Sequence, residues 1–177
     1  MKPLFHLLSF ILVSLVSLPA LSNDEQNYTL DTGDSISVQI YGEKDLSIDS
    51  ILITSDGYFD FPYLGRIKAI GKTPKQLRYE IEGGLKGDYL INPKVMVNII
   101  NFRLFYVNGE VRKPGGFEYQ PGLTLEKAIA VAGGVTDRAS LRNIKITRHK
   151  SGKNVSKASM NHVVYPGDII FVDQSFF

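Results

Sequence analysis

The 177-residue sequence predicts an α+β chain made of a small strand-rich domain with one helix, followed by a second small domain, and three features carry that prediction. Short runs that alternate apolar and polar residues recur between Gly, Pro and Asp turn signals, which is the period of half-buried strands. Only two stretches join an N-terminal cap to apolar residues spaced one helical turn apart, one in each half. Turn signals link several neighbouring strand runs directly, and hairpins need none of the crossovers of a parallel sheet.

In the first unit Tyr28-Thr29-Leu30 reads as extended, and Thr32-Gly33-Asp34 as a turn of the kind Gly and Asp favour. Ser35 to Ile40 places Ile36, Val38 and Ile40 on one strand face. Ile51 to Thr54 and Tyr58 to Phe61 flank Ser55-Asp56-Gly57, and Asp-Gly between two such runs predicts a hairpin joining them. Pro62 confines the second run to an edge or an end, and Gly65 and Gly71 punctuate a strand around Ile67 to Ile70. Thr73-Pro74-Lys75-Gln76 opens a helix: Thr caps, Pro suits the first position and Gln76 completes a capping box. Leu77, Ile81 and Leu85 share one helical face, Gly83-Gly84 weakens the end, and Gly87 stops it. Asn92-Pro93 then leads into a strand from Lys94 to Ile99.

The second unit starts near Phe102. Leu104 to Asn108 reads as a strand ending at Gly109, Lys113-Pro114-Gly115-Gly116 as a turn, and Phe117 to Tyr119 as the returning strand. Thr124 caps a helix through Leu125, Ala128, Ile129 and Ala132, and Gly133-Gly134 stops it. Ile144 to Thr147 and the segment around Val155 form a hairpin across Ser151-Gly152-Lys153, and Pro166-Gly167-Asp168 leads into a last strand from Ile169 to Val172. A small curved sheet wrapped around one helix, the β-grasp arrangement, fits this order. Thr32-Gly33-Asp34 before Ile36 and Val38 is echoed by Pro166-Gly167-Asp168 before Ile170 and Val172, too few positions to claim a duplication.

Ahead of these units, Met1 and Lys2 precede a run from Leu4 to Leu18 that is apolar apart from His6 and three Ser residues, and Pro19 precedes Ala20-Leu21-Ser22. This reads as a secretory signal peptide over residues 1–22, since the run is shorter than the roughly 20 residues a spanning helix needs. With 44% apolar residues and a formal net charge of +2, the composition is that of a folded globular protein. The absence of Cys excludes thiol catalysis, thiolate metal sites and disulfides. Charge is unevenly spread. Asp24, Glu25, Asp31, Asp34, Glu43, Asp45, Asp49, Asp56 and Asp60 stand against Lys44 alone, whereas Arg138, Arg142, Lys145, Arg148, Lys150, Lys153 and Lys157 form a run with no acid. Such runs are solvated faces, or poles that meet head to tail in a ring, or a surface for an anionic polymer.

Catalytic patterns are missing from the sequence. The histidines of the exported part, His149 and His162, have no carboxylate at ligand spacing, so no metal is expected. No nucleophile elbow, zinc-protease helix or phosphate-cradling loop occurs, and no cofactor or catalytic residue is assigned. Asp34, Asp56 and Asp168 are the candidates for a glycosidase pair, but each adjoins Gly in a turn, which explains them without catalysis.

Tyr28-Thr29-Leu30-Asp31-Thr32-Gly33-Asp34-Ser35-Ile36 and Tyr41-Gly42-Glu43-Lys44-Asp45-Leu46-Ser47 resemble the opening of the outer-membrane polysaccharide export (Wza-like) family. Ser55-Asp56-Gly57, Phe61-Pro62-Tyr63-Leu64-Gly65-Arg66-Ile67, Gly71-Lys72-Thr73 and Asn92-Pro93-Lys94-Val95 continue the match in order through the export domain. Gly109-Glu110-Val111 with Pro114-Gly115, Ala132-Gly133-Gly134-Val135-Thr136 with Ala139, and Pro166-Gly167-Asp168 are similar to its soluble-ligand-binding β-grasp domain. The resemblance implies an export domain over 23–101 and a ligand-binding domain over 102–177. It further implies a homo-oligomeric ring that conducts capsular or extracellular polysaccharide through the periplasm without catalysis. Long members carry a lipidated Cys, a C-terminal amphipathic helix and often further β-grasp domains; this sequence has no Cys, one β-grasp unit, and ends at Gln174-Ser175-Phe176-Phe177. The expectation is therefore a short periplasmic form docking between an outer-membrane β-barrel and an inner-membrane polysaccharide copolymerase, with Phe176-Phe177 a docking end or a frayed tail.

In this reading Gly33, Gly57, Gly65, Gly109, Gly115, Gly133, Gly134 and Gly167 serve turns or close approach, and Pro62, Pro93 and Pro114 fix strand ends. Arg66, Lys68 and Lys72, and in the basic hairpin Arg142, Lys145 and Arg148, are the candidate contacts for an acidic polymer. The alternative is a periplasmic glycan-binding module that forms no conduit. A nucleic-acid partner is not expected, because the basic stretch has no aromatic residue on which bases could stack.

Overall fold

The computed structural model describes residues 28–175; the expected signal peptide and Phe176-Phe177 lie outside them. The chain is α+β, with two separate apolar cores, one in each half.

In the first half β1 (Ser35–Ile40) is the central strand of a three-stranded antiparallel sheet, flanked by β2 (Ile48–Leu52) and β5 (Val95–Asn101). Ile36, Val38 and Ile40 are buried at the expected period of two. β3 (Tyr58–Phe61) and β4 (Gly65–Lys68) pair separately with each other. The hairpin expected across Ser55-Asp56-Gly57 is therefore not formed: β2 turns back onto β1, and β3 onto β4 through Pro62-Tyr63-Leu64. Asp56 instead accepts a hydrogen bond from the Thr54 hydroxyl, and the Gly57 carbonyl accepts from the N–H groups of Ala69 and Ile70. Gly57 N also donates to the Thr54 carbonyl at 2.9 Å, so the segment is a local turn tied to residues 69 and 70 and not the tip of a strand ladder.

Helix α1 (Pro74–Leu85) packs on β5 and buries Leu77, Ile81 and Leu85. Its capping box is complete: Gln76 N donates to Thr73 Oγ1 at 3.2 Å, and Thr73 N donates to Gln76 Oε1 at 2.9 Å. Both Gly83 and Gly84 remain inside the helix. A Cβ on Gly84 would lie 2.9 Å from Leu64 Cδ2, so the bare backbone makes room for the tip of the β3–β4 hairpin.

The second half is a five-stranded mixed sheet in the order β7-β6-β10-β8-β9. Its strands are β6 (Phe105–Gly109), β7 (Gly115–Phe117), β8 (Ala139–Thr147), β9 (Asn154–Ser156) and β10 (Ile169–Gln174). β10 runs parallel to β6 and antiparallel to β8, which places Ile170 and Val172 at the centre of the core. The strand expected at Phe117 to Tyr119 lies earlier, at Gly115–Phe117. A side chain on Gly116 would come within 2.9 Å of Tyr106 Cε1, so its two glycines form strand and not turn.

Helix α2 (Leu125–Val131) is capped by Thr124 and buries Leu125, Ala128 and Ile129. Gly133 N donates to the Ala130 carbonyl and Gly134 N to the Ile129 carbonyl, the two bonds of a Schellman stop.

Candidate functional site

The two halves meet where Phe102-Arg103-Leu104 leads from β5 into β6. Arg103 is only 8% exposed, because it is held between the two Gly-Asp turns noted in the sequence. A Cβ on Gly33 would lie 3.2 Å from Arg103 Cβ, and one on Gly167 would lie 2.9 Å from Arg103 Nε and 2.7 Å from His149 Cγ. Both glycines have positive φ, 90° and 84°. A side chain at either position would be strained as well as crowded.

Asp34 is fully buried and accepts four donors: Tyr28 OH at 2.6 Å, Asp31 N at 2.8 Å, Arg103 N at 2.8 Å and Arg103 Nη1 at 3.0 Å. Tyr28 OH also accepts from Arg103 Nη1 at 2.7 Å. Burial, and then the hydrogen bond to Asp34, push the Tyr28 phenol well above the usual range, so it stays a donor. Arg103 Nε is buried without a hydrogen-bond partner among the described residues.

Asp168 repeats the pattern. It is 1% exposed, accepts from Tyr165 N at 2.9 Å and His149 N at 3.4 Å, and is paired with the Arg148 guanidinium. Arg148 also donates to the Val163 carbonyl and to His162 Nε2 at 2.7 Å.

Contacts between the halves surround this cluster. His149 Nε2 lies 3.4 Å from Asp31 Oδ2, and Lys150 Nζ donates to Thr29 Oγ1. Phe102 meets Tyr28 and Tyr119 edge to face, with ring centroids 5.0 and 5.2 Å apart. Beside them lies a cavity of about 470 Å³.

Two domain descriptions match the sequence: polysaccharide biosynthesis/export protein over residues 22–100 and SLBB domain over 104–158. The chain carries an export domain followed by an SLBB domain. It is similar to the "EPS I polysaccharide export outer membrane protein EpsA" of Ralstonia nicotianae, at 28% identity over 182 residues, covering 83% of this chain and 47% of that one. It is also similar to the "Capsule polysaccharide export outer membrane protein CtrA" of Neisseria meningitidis serogroup A, at 28% over 130 residues, covering 67% and 33%. A third similarity is to the "Exopolysaccharide production protein ExoF" of Rhizobium meliloti, at 35% over 83 residues, covering 45% and 19%. The chain thus spans about half or less of the length of these curated relatives.

Arg103 falls between the two matched segments, and Asp168 lies beyond the second. Sequence reasoning singled out Asp34, Gly33, Gly167, Asp168 and Arg148 but not Tyr28 or Arg103. The available signal for Arg103 was a single charge within the otherwise uncharged, largely apolar run from Ile99 to Val107.

The other singled-out residues are dispersed. Asp56 is exposed and pairs with Arg66 at 2.7 Å. Its carboxyl is lowered to about 2 by the Thr54 hydroxyl first, then Tyr58 N–H and Arg66. Gly57 and Gly65 adopt positive φ at the ends of β3 and β4, with Pro62 directly after β3; Pro93 lies just before β5 and Pro114 just before β7, where Gly115 begins. A Cβ on Gly109 would lie 2.2 Å from the Val172 carbonyl oxygen.

Of the six candidate polymer contacts, Arg66 and Lys68 lie on β4, while Arg142 and Lys145 lie on β8 with Arg148 just beyond it. Lys72 pairs with Glu80, Lys145 with Asp173 at 2.8 Å, and Arg148 with Asp168. Lys68 and Arg142 have no ion pair among the described residues. Within the basic run Arg138 pairs with Glu110 at 3.1 Å, so part of that pole is neutralised inside its own domain. Among the described residues no group of His, Asp and Glu is placed to hold a metal, and no helix is long and apolar enough to cross a membrane.

Proposed function

We propose that this chain is a periplasmic component of capsular or extracellular polysaccharide export that assembles into a ring conduit and passes polymer towards an outer-membrane β-barrel. The observation that carries the reading is the succession of an export domain and an SLBB domain, together with relatives whose names assign them to polysaccharide export. In this reading residues 1–22 are the export signal, 23–101 the export domain and 102–177 the ligand-binding domain, and an inner-membrane copolymerase delivers the polymer. The buried Arg103 cluster supports a subunit whose two domains move as one, which suits a wall of fixed shape.

The polymer is gripped weakly, since tight binding stalls transport. Lys68 and Arg142 are the first contacts for an acidic polymer, because neither is engaged with an acid of its own chain; Arg66, Lys72, Lys145 and Arg148 are already paired.

The test is polysaccharide outside the cell in a deletion strain of the source bacterium, complemented with the intact gene, with one lacking Met1 to Ser22, and with Lys68→Glu/Arg142→Glu. Loss of external polymer, restored only by the exported chain and reduced by the charge reversal, is expected. Undiminished polymer in the deletion strain refutes the export role. A purified chain that stays monomeric while export depends on it refutes the ring and favours a glycan-binding module.

A further inference from the structure

We propose that the cavity of about 470 Å³ between the two domains is a binding site for a sugar unit bearing one carboxylate, such as a uronic acid residue. The choice of a sugar rests on the export reading, while the place and the charge rest on the cavity itself.

Its volume lies within the roughly 300–1,000 Å³ of small-molecule sites, and its walls follow their pattern of aromatic surface with a few placed polar groups. Tyr28, Phe102, Tyr119 and Tyr165 line it. Flat aromatic faces cover the C–H side of a pyranose, and its hydroxyl rim is left to meet polar groups. Arg103 also lines the cavity, and its buried Nε lacks a partner among the described residues. A buried N–H without an acceptor is rare and costly, so the guanidinium at the cavity wall is left short of acceptors.

The charges on the walls select the ligand. Arg103 is matched by Asp34, Arg148 by Asp168, and His149 lies against Asp31. Lys150 bonds the neutral hydroxyl of Thr29 and has no acid beside it among the described residues. One cation is therefore left over, which fits the single carboxylate of one seated sugar unit better than a neutral sugar or a phosphate dianion.

The exported chain is titrated calorimetrically with trigalacturonate, maltotriose and inorganic phosphate. Trigalacturonate is expected to saturate one site per chain, roughly tenfold tighter than maltotriose, because a charge-assisted hydrogen bond separates the two. Lys150→Ala and Tyr165→Ser are each expected to weaken trigalacturonate about tenfold while the unfolding temperature stays that of the parent. Absence of binding, equal affinity for maltotriose, displacement by phosphate, or unaltered affinity in both folded variants overturns the proposal. Export is scored in the same strains: a chain that restores export yet binds no trigalacturonate overturns the site and leaves the export role standing. Binding by a chain whose deletion leaves export undiminished supports the site and removes the export role.

Discussion

Replacing Arg103 with Met tests the energetic weight of the junction. The substitution keeps a long apolar stem but removes the guanidinium that lies 3.0 Å from a carboxylate with no solvent exposure. Removing one partner of a buried ion pair costs about 3–5 kcal/mol, because the remaining charge stays buried. Asp34 retains the Tyr28 hydroxyl and the N–H groups of Asp31 and residue 103, which places the cost at the lower end, about 3 kcal/mol. For a chain of this size each kcal/mol is worth about 2–4 °C, so Tm falls by about 6–12 °C. Asp34→Asn in the same background removes the stranded charge, and the double variant recovers about 1 kcal/mol or more of the summed loss. Calorimetry should also show one transition in the parent and two in Arg103→Met, since each half has a core of its own. Additive single losses, or a Tm within about 2 °C of the parent, refute the view that this pair joins the domains.

Gly109→Ala forces a Cβ to within 2.2 Å of a backbone oxygen at φ 85° and is expected to cost about 4 kcal/mol or more, read as loss of folded protein in urea titration. Burial raises the Tyr28 phenol above the ordinary tyrosine value of about 10, so the folded form holds its proton more tightly than the unfolded one. That contribution is complete below about pH 10 and lost above it, and Tyr28→Phe flattens the decline in urea midpoint between pH 9 and 11. Asp56 has the opposite sign: its folded value of about 2 lies below 3.8, so its stabilisation is complete above about pH 4 and lost as pH falls towards 2. Asp56→Asn should remove the corresponding titration from the NMR shifts of Tyr58 and leave those of β10 unchanged.

The elements whose formation is decided within a few residues were legible in the sequence. Ser35–Ile40 and Tyr58–Phe61 occupy the spans their alternation marks, and the Thr73 and Thr124 caps stand where the helix signals place them. Pairing was less legible than position. Asp56-Gly57 is a strong local hairpin signal, yet a Cβ on Gly57 would lie 2.5 Å from Ile70 Cγ2, so a contact thirteen residues away dictates what the turn does. The candidate site was half legible. Asp34 and Asp168 were visible as turn residues, but their burial depends on arginines 69 and 20 positions along the chain. No local pattern encodes that meeting.

The two Gly-Asp turns now have a common physical explanation. Each introduces a strand whose apolar face enters a core, β1 in one domain and β10 in the other, so each turn is drawn below the surface with its strand. In each, the Asp side chain accepts the N–H of the residue three positions earlier and so closes the turn, as a surface Asp would. Once buried, that carboxylate needs a cation, and the two supplies differ: Arg103 comes from the link between domains, Arg148 from the hairpin beside the strand. Different donors for the same need favour a shared local solution over a copied domain. The consequence is specific to this architecture. Since the cation serving the first turn sits on the interdomain link and packs against the glycine of the second, satisfying one buried acid also fixes the angle between the domains.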